Sequence, residues 1–206
     1  MIDLRWILKS PLVYQTYQTL VGGIAMRDDC LRMLAAQPEE RILDIGCGPA
    51  YYLPQMPRVE YHGFDTDEAY IRHARKRYGH RGNFYCAQFT SEAAQQLGKF
   101  DGVLLMGLLH HLDDDECGRL LGLLASLLRP EGRLIALDTT VHDEQNKLES
   151  WLARGDRGQY VRTPTAFTKL ARQHFGQVSG HLAVQWHIPS IYWAMEMRVP
   201  RKTSST

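Results

Sequence analysis

The side chains best suited to moving a proton near neutral pH are two adjacent histidines, His110 and His111. Asp138 ends the apolar run GRLIALD, and a carboxylate there could orient or neutralise a histidine ring. Such a group could act as a base that removes the proton of a hydroxyl acceptor. Adjacent histidines are as often structural, and Asp138 is equally able to accept from backbone donors. Both interpretations stay open on the sequence alone.

A glycine-rich turn supplies the second candidate site. The run RILDIGCGPAYY begins as a short buried strand over 41–45 and continues into Gly46 and Gly48. Residues without a Cβ let a ligand approach the backbone closely. The third glycine of the dinucleotide pattern G-x-G-x-x-G is replaced by Tyr51, so the dehydrogenase fingerprint is incomplete.

Asp65 ends the next predicted strand, VEYHGFD (59–65), about twenty residues after the turn. An acid at this position can accept hydrogen bonds from both hydroxyls of a ribose. The alternative is a helix N-cap, a role for which Thr66 and Asp67 compete. Because Asp65 follows the glycine turn, we favour the ribose interpretation.

Alternating strands and helices must position these residues. Predicted strands cover 41–45, 59–65, 83–89, 100–107 and 132–138, and predicted helices cover 67–79, 113–129 and a segment from Thr163 to Phe175 with Pro164 at its first position. Strands separated by helices indicate a parallel sheet that binds ligands beyond the carboxyl ends of its strands. The tail after 180 is typical of two strands joined near Ile188–Pro189.

Four blocks of the sequence resemble the ordered motifs of class I S-adenosylmethionine-dependent methyltransferases. They are LDIGCGPA, GFDTDEAYIRHAR, KFDGVLLMGLLHHLDD and LLRPEGRLIALD, between about residues 40 and 140. The segments DRG…VR and IPSIYWAMEM also resemble a group of small bacterial methyltransferases, which extends the resemblance to most of the chain.

The resemblance implies an α/β fold, with a seven-stranded, mostly parallel Rossmann-like sheet, helices on both faces and a C-terminal antiparallel hairpin. We expect an N-terminal helical lid or substrate segment over 1–36, the methyltransferase domain over 37–200 and a disordered tail over 201–206.

The resemblance also implies a cofactor, S-adenosyl-L-methionine, with S-adenosyl-L-homocysteine as product. Asp44 would hold the ammonium, Asp65 the ribose hydroxyls, and Thr66 would lie beside the adenine. Gln88 stands where the family usually has an acid, and an amide oxygen can still accept that hydrogen bond. The expected cofactor contacts are Asp44, Gly46, Cys47, Gly48, Asp65, Thr66, Gln88, Phe89, Met106 and Gly107.

Acceptor recognition is expected from segments outside these motifs. Tyr14 and Tyr17 lie three residues apart on a predicted helix, where core packing is the alternative. Arg154, Arg157 and Arg162 could clamp a phosphate or carboxylate, with surface ion pairing to Asp156 or Glu149 as the alternative. Tyr192 and Trp193 could reach the pocket or be half-buried strand aromatics. For the base, the resemblance favours His111 over His110, and an amine acceptor would need no strong base.

Composition excludes several other classes. The chain has 206 residues, 44% hydrophobic and 23% charged, with a formal net charge of +1, which predicts no nucleic-acid partner. Four scattered cysteines without a CxxC pair argue against a metal site and a disulfide framework, and favour the cytoplasm. No run is apolar and long enough to insert into a membrane. We expect a small-molecule acceptor and a monomer or homodimer.

The sequence therefore predicts an enzyme that methylates a small molecule, on the oxygen of a sugar, lipid-linked or secondary-metabolite hydroxyl. The alternatives are N-methylation of a small amine, and a non-catalytic S-adenosylmethionine-binding sensor or partner subunit. A tRNA or protein methyltransferase is disfavoured because the chain has no basic face, added recognition domain or NPPY-type motif.

Overall fold

A computed structural model of the protein describes residues 23–141, 160–184 and 191–199. The helices are α1 (Gly23–Leu34), α2 (Glu68–Tyr78), α3 (Ser91–Leu97), α4 (Asp114–Leu127) and α5 (Pro164–Ala171). The strands are β1 (Arg41–Ile45), β2 (Glu60–Asp65), β3 (Gly82–Cys86), β4 (Phe100–Met106), β5 (Leu128–Thr139), β6 (Gln177–Val184) and β7 (Ile191–Arg198). Two short 3-10 turns cover Leu53–Gln55 and Leu109–His111.

The strands form one seven-stranded sheet in the order β3-β2-β1-β4-β5-β7-β6. The first five strands pair in parallel, whereas β7 runs antiparallel to both β5 and β6. The carboxyl ends of β1, β2, β4 and β5 therefore meet at one edge, which places Asp44, Asp65, Met106 and Asp138 there. The predicted Rossmann-like sheet with its antiparallel hairpin is confirmed.

Buried side chains cover both faces of the sheet. On one face, α1 contributes Met26, Cys30 and Leu34, and α2 contributes Ile71 and Ala74. On the other face, apolar residues of α3, α4 and α5 pack against the sheet. The apolar positions of each helix recur at steps of three or four residues, so one side of each helix is buried. Helices thus lie on both faces, as the sequence predicts.

Helix starts follow the capping residues in the sequence. Asp113 accepts from the backbone N–H of Glu116 at 2.8 Å, and the Glu116 carboxylate accepts in return from the Asp113 N–H at 3.1 Å. This capping box fixes the first turn of α4. Thr163 caps α5, whose first residue is Pro164, as predicted.

Several elements differ from the prediction; among them, β5 begins at Leu128 rather than at residue 132, and α5 ends at Ala171 rather than at Phe175. The helix α4 ends at Leu127 rather than near Arg129, because Leu128 is already extended and pairs with Phe100 of β4. The strand β3 ends at Cys86 rather than at Phe89, since its neighbour β2 ends at Asp65 and offers no further partner. The helix α3 is missing from the prediction because its seven residues are too few to show a period.

A buried arginine ties α1 to the sheet at the edge opposite the candidate site. The Arg133 guanidinium donates to the carbonyl oxygens of Leu34 and Ala35, at the end of α1, and forms an ion pair with Glu40 at 2.7 Å. The helix α1 therefore belongs to the same packed body as β5. The expected boundary between a lid over 1–36 and a domain over 37–200 stays a prediction. None of the described helices is long and apolar enough to cross a membrane.

Candidate cofactor and acceptor site

The glycine turn has a backbone that other residues rarely adopt. Gly46 has a φ of 76° and Gly48 a φ of 52°, both in the left-handed region. The N–H groups of Gly46 and Cys47 donate to the Phe64 carbonyl at 2.8 and 3.0 Å, which pins the turn to β2. Among the described residues, a Cβ built on Gly48 would meet no atom within 4 Å. The described part of the chain therefore leaves space beside the turn into which a ligand can fit.

Asp65 supports this turn and is not the cap of α2. Its Oδ2 accepts from the Gly48 N–H at 2.9 Å, and its Oδ1 accepts from the Asp67 N–H at 2.8 Å. The cap is Asp67, whose carboxylate accepts from the N–H groups of Ala69 and Tyr70. The N-cap alternative for Asp65 is thus wrong. Each Asp65 oxygen keeps a second lone pair with which to accept a hydroxyl, so the residue fits a ribose.

Asp44 lies at the carboxyl end of β1, almost fully buried, and accepts a hydrogen bond from the Tyr61 hydroxyl at 2.6 Å. Burial raises the pKa of the Asp44 carboxyl to about 7, an effect that the Tyr61 hydrogen bond opposes. The negative charge of Asp65 contributes to this raised pKa, and the positive charge of Arg27 opposes it. A carboxylate in this setting gains strongly from a cationic ligand, which fits the ammonium of S-adenosylmethionine.

Sequence reasoning missed Arg27. Its guanidinium lies over the ring of Tyr52, 5.1 Å from the centroid, and its charge acts on Asp44. Helix α1 and the residues after the glycine turn thus place a cation beside the methionyl end of the candidate cofactor site. No motif marks Arg27, because the contact depends on how α1 packs on the sheet.

The end of β4 joins the glycine turn to the histidines. Gly107 has a φ of 75°, and its N–H donates to the Leu137 carbonyl of β5 at 2.7 Å. A Cβ on Gly107 would lie 3.9 Å from Cε1 of His110, and one on Gly46 would lie 3.9 Å from Cδ1 of Leu108. The 3-10 turn Leu109–His111, which we call the histidine turn, therefore adjoins the glycine turn at the same edge of the sheet.

Asp138 holds the histidine turn through three hydrogen bonds. It is fully buried and accepts from the backbone N–H groups of Leu109, at 2.7 Å, and His110, at 3.2 Å. It also accepts from Nδ1 of the His110 ring. Because a carboxylate can only accept, Nδ1 carries the proton, and Nε2 of a neutral His110 ring is unprotonated. Both alternatives for Asp138 therefore hold, since it orients a histidine and also binds backbone donors.

His111 has a different environment from His110. Its side chain is exposed, and its ring lies on that of His110 with a centroid distance of 4.1 Å and an angle of 42°. Asp138 thus orients His110. The resemblance instead favours His111 as the base. The sequence shows two adjacent residues of the same type, and their different environments appear only in the structure.

On the side expected for adenine, Thr66 and Gln88 are exposed. Phe89 is buried, and its ring meets that of Phe64 edge-on, with 5.0 Å between the ring centroids. Cys47 is also buried, and burial raises the pKa of its thiol far above the usual range. Cys47 is therefore a packing residue of the turn and not a nucleophile. Met106 is buried at the end of β4.

The residues expected to bind the acceptor are only partly described. Tyr14, Tyr17, Arg154 and Arg157 lie outside the described residues. Tyr192 is half-buried on β7. It pairs with Thr139 of β5, the residue that follows Asp138 in the sequence.

Arg162 is buried, and its guanidinium is hydrogen-bonded within the protein. It donates to the carbonyl oxygens of Leu109, Leu112 and Tyr160 and to the Asp114 carboxylate. Because these bonds use four of its five N–H groups and the guanidinium also forms an ion pair with Asp114 at 2.8 Å, we leave Arg162 out of the acceptor site. Among the described residues, no three metal-ligating side chains converge.

The strand order, the glycine turn and Asp65 define the class of protein: a class I S-adenosylmethionine-dependent methyltransferase. Comparison with known proteins agrees. A family model described as a methyltransferase domain matches residues 23–176, and the chain belongs to this family.

Individual relatives are more distant. A curated relative, the ubiquinone biosynthesis O-methyltransferase of Aromatoleum aromaticum, is 31% identical over 114 residues, which cover 53% of this chain and 48% of that protein. The match thus spans about half the length of the relative.

Solved structures share the fold at low identity. The S-adenosylmethionine-dependent methyltransferase SibL in its apo form has a TM-score of 0.67 and 16% identity, over 91% of this chain and 57% of that chain. The N-methyltransferase NodS from Bradyrhizobium japonicum WM9 has a TM-score of 0.65 and 15% identity, over 86% of this chain and 97% of that chain.

Proposed function

We propose that this protein transfers a methyl group from S-adenosylmethionine to a hydroxyl group of a small-molecule acceptor. The observation that carries the proposal is the contact of Asp138 with Nδ1 of His110, beside the glycine turn. It supplies an oriented base where a methyltransferase needs one, at the carboxyl edge of the sheet.

The polar groups of the site match the polar groups of the cofactor. Asp65 accepts from the ribose hydroxyls, and Asp44 receives the ammonium. Arg27 supplies the positive charge that suits the methionyl carboxylate. The remaining cofactor contacts in this proposal are Gly46, Cys47, Gly48, Thr66, Gln88, Phe89, Met106 and Gly107.

Bound S-adenosylmethionine supplies a methyl group on a sulfonium, which is electrophilic. The chain has to align the acceptor oxygen with that methyl group and to remove the hydroxyl proton. We assign the proton to Nε2 of His110, because Asp138 fixes the ring in the tautomer that leaves Nε2 unprotonated. The Asp138 carboxylate then stabilises the imidazolium. We place His111, whose ring lies tilted against this ring, in the wall of the acceptor pocket.

An oxygen acceptor is supported by the name of the curated relative, an O-methyltransferase. The structural neighbour NodS is named an N-methyltransferase, and an amine acceptor needs no oriented base. N-methylation and a non-catalytic S-adenosylmethionine-binding role are therefore the alternatives. The His110–Asp138 pair favours the hydroxyl.

We further propose that the protein acts in the cytoplasm as a monomer or homodimer, without nucleic acid. All four cysteines are free thiols, which suits a reducing compartment. Tyr192, with Tyr14, Tyr17 and Arg157, stays in the proposed acceptor site.

Calorimetric titration tests the cofactor first. We expect S-adenosylmethionine and S-adenosylhomocysteine to bind and NAD not to bind. If neither S-adenosylmethionine nor S-adenosylhomocysteine binds, the proposal is overturned.

A screen of acceptors for release of S-adenosylhomocysteine tests the reaction. Matched pairs that differ only in a hydroxyl or an amine at one position distinguish oxygen from nitrogen as the methylated atom. Cofactor binding without turnover of any acceptor would favour the sensor role.

A further inference from the structure

The carbonyl groups of the histidine turn are bound by a segment far away in the sequence. Arg162 donates to the Leu109 carbonyl at 2.9 Å and to the Leu112 carbonyl at 2.7 Å. The backbone N–H of Tyr160 donates to the carbonyl of His110 at 3.0 Å. Three of the four carbonyl groups between 109 and 112 are thus held by residues 160–162.

Asp138 binds the opposite side of the same turn. It accepts from the N–H groups of Leu109 and His110 and from the His110 ring. The turn is therefore fixed through its N–H groups by β5 and through its carbonyl groups by Arg162. A short 3-10 turn has few internal hydrogen bonds of its own, so these outside partners set its geometry.

Arg162 is itself held in place. Its Nε and a terminal nitrogen both lie 2.8 Å from Oδ1 of Asp114, the first residue of α4. Its backbone carbonyl accepts from the Thr140 hydroxyl at 2.8 Å, next to the end of β5. Its guanidinium also lies 5.7 Å from the centroid of the Phe167 ring. A planar guanidinium with five fixed donors suits such a set of partners, and a lysine could not replace it.

We infer that Arg162 is a positioning residue, which fixes the turn that carries His110 and thereby keeps the His110 ring on Asp138. The role in catalysis rests on the proposed function of His110, whereas the effect on the ring does not. A small displacement of a reacting group can cost about 10²-fold in rate, so the turn has to be held firmly.

Arg133 offers a matched control. Arg133 and Arg162 have the same exposed fraction, 7%, and each binds backbone carbonyl groups and one carboxylate. Arg133 lies at the opposite edge of the sheet, away from the histidines. Changing either to methionine removes a buried guanidinium, but only one of them binds the histidine turn.

The first experiment compares Arg162→Met with Arg133→Met by NMR of the histidine ring nitrogens, with His110 assigned through His110→Gln. In the wild type we expect the His110 ring to carry its proton on Nδ1. In Arg162→Met we expect a mixture of tautomers, and in Arg133→Met the wild-type pattern, even where the melting temperatures fall equally. A wild-type His110 pattern in Arg162→Met, or an equal change in both variants, would overturn the inference.

A surface pair tests the same point without the risk of unfolding. The Asp114 side chain is 75% exposed, and its loss frees one side of the Arg162 guanidinium. Its neighbour Asp115, also exposed in the first turn of α4, is the control for losing an acid there. We expect Asp114→Ala, but not Asp115→Ala, to shift the His110 ring signals in the direction seen for Arg162→Met. Equal shifts in the two variants would count against the inference.

Turnover is measured on the same variants with any acceptor found in the screen. We expect kcat to fall about 10²-fold in Arg162→Met, while the Kd for S-adenosylhomocysteine stays within about twofold. A lower kcat with an unchanged His110 ring would reject the positioning role. If the wild type transfers no methyl group, the proposed function fails, but the ring measurement still decides the structural part.

Discussion

The hydroxyl of Tyr61 donates to Oδ2 of Asp44 at 2.6 Å, within a part of the sheet where both side chains are buried. Tyr61 and Asp44 lie on neighbouring parallel strands, β2 and β1. Burial disfavours the Asp44 carboxylate and raises the pKa of Asp44 to about 7, whereas the Tyr61 hydrogen bond favours the carboxylate. The residue expected to meet the cofactor ammonium therefore changes charge near neutral pH.

This relationship predicts a pH-dependent cofactor affinity. Because the ammonium of S-adenosylmethionine binds the ionised form of Asp44, its affinity should rise with pH through about 7, the pKa of the free protein. Tyr61→Phe removes the hydrogen bond that lowers this pKa, so the rise should move to higher pH. Calorimetric titrations from about pH 5.5 to 8.5 measure both effects. Tyr78→Phe on α2 is the control, and an equal change there, or a flat profile in the wild type, would contradict the prediction.

The same pKa has a consequence for stability, with the opposite sign. The pKa of Asp44 is higher in the folded protein than in the unfolded chain, so folding favours the protonated form. Its contribution to the free energy of unfolding is full below about pH 4 and is lost as the pH rises through about 7. S-adenosylhomocysteine should offset this loss, because its ammonium pairs with the ionised carboxylate. Denaturant unfolding with and without the ligand measures the difference.

Substitutions of Asp65 and Asp67 should affect different properties, cofactor affinity and helix stability. Asp65→Ala should weaken binding of S-adenosylhomocysteine by about 30-fold or more, since hydrogen bonds to a charged group contribute about 1.5–3 kcal/mol each. Asp67→Ala should lower the free energy of unfolding by about 1 kcal/mol through loss of the α2 cap, with a smaller effect on binding. Calorimetry and denaturant unfolding of both variants give the comparison. A pattern in which Asp65→Ala chiefly unfolds the protein would reject the ribose role.

Gly48→Ala tests whether the open space at the turn belongs to the cofactor. A Cβ there meets no atom of the described residues, so the folding cost is the strain of a positive φ, about 1–2 kcal/mol. The methyl group would nevertheless enter the space beside the turn, and S-adenosylhomocysteine should bind tenfold more weakly or worse. Gly98→Ala is the control, because Gly98 has a φ of 75° at the end of α3, and among the described residues its Cβ would have only Arg41 within 4 Å. Equal loss of affinity in the two variants would point to general destabilisation.

The elements that carry these residues could be predicted because local signals agree with the packing. The run RILDI is followed by glycines with a positive φ, and Asp67, Asp113 and Thr163 cap the helices that begin after them. The short apolar runs alternate with helices along the chain, and a parallel sheet is the arrangement that buries them together.

Other parts of the site could not be predicted, since they depend on distant backbone groups. Apart from the Asp114 carboxylate, the partners of Arg162 are the backbone carbonyl groups of residues 109, 112 and 160, and every sequence has such groups. The choice between His110 and His111 depends on the 3-10 turn, which buries the first of these identical neighbouring side chains and leaves the second exposed. The contact of Arg27 with Tyr52 needs the packing of α1 on the sheet. Residue types therefore located the edge of the sheet, but not which of the two histidines Asp138 orients.

That choice leads to a prediction in which the two histidines behave differently. For a hydroxyl acceptor, His110→Ala should lower kcat by about 10²-fold or more, the usual contribution of a general base. His111→Ala should lower it less than tenfold and act mainly on the KM of the acceptor, because its ring is exposed and Asp138 binds its neighbour. Both variants should keep the wild-type affinity for S-adenosylhomocysteine within a few fold.

Asp138→Asn completes this series. The amide cannot replace the carboxylate toward all three donors, so we expect a loss of about 1–3 kcal/mol in the free energy of unfolding together with a kcat as low as that of His110→Ala. If both residues act through one base, the double variant His110→Ala/Asp138→Asn should be hardly slower than His110→Ala alone. Steady-state release of S-adenosylhomocysteine measures kcat for the set. A larger loss in His111→Ala would return the base to that residue, and unchanged rates in all variants would favour an amine acceptor.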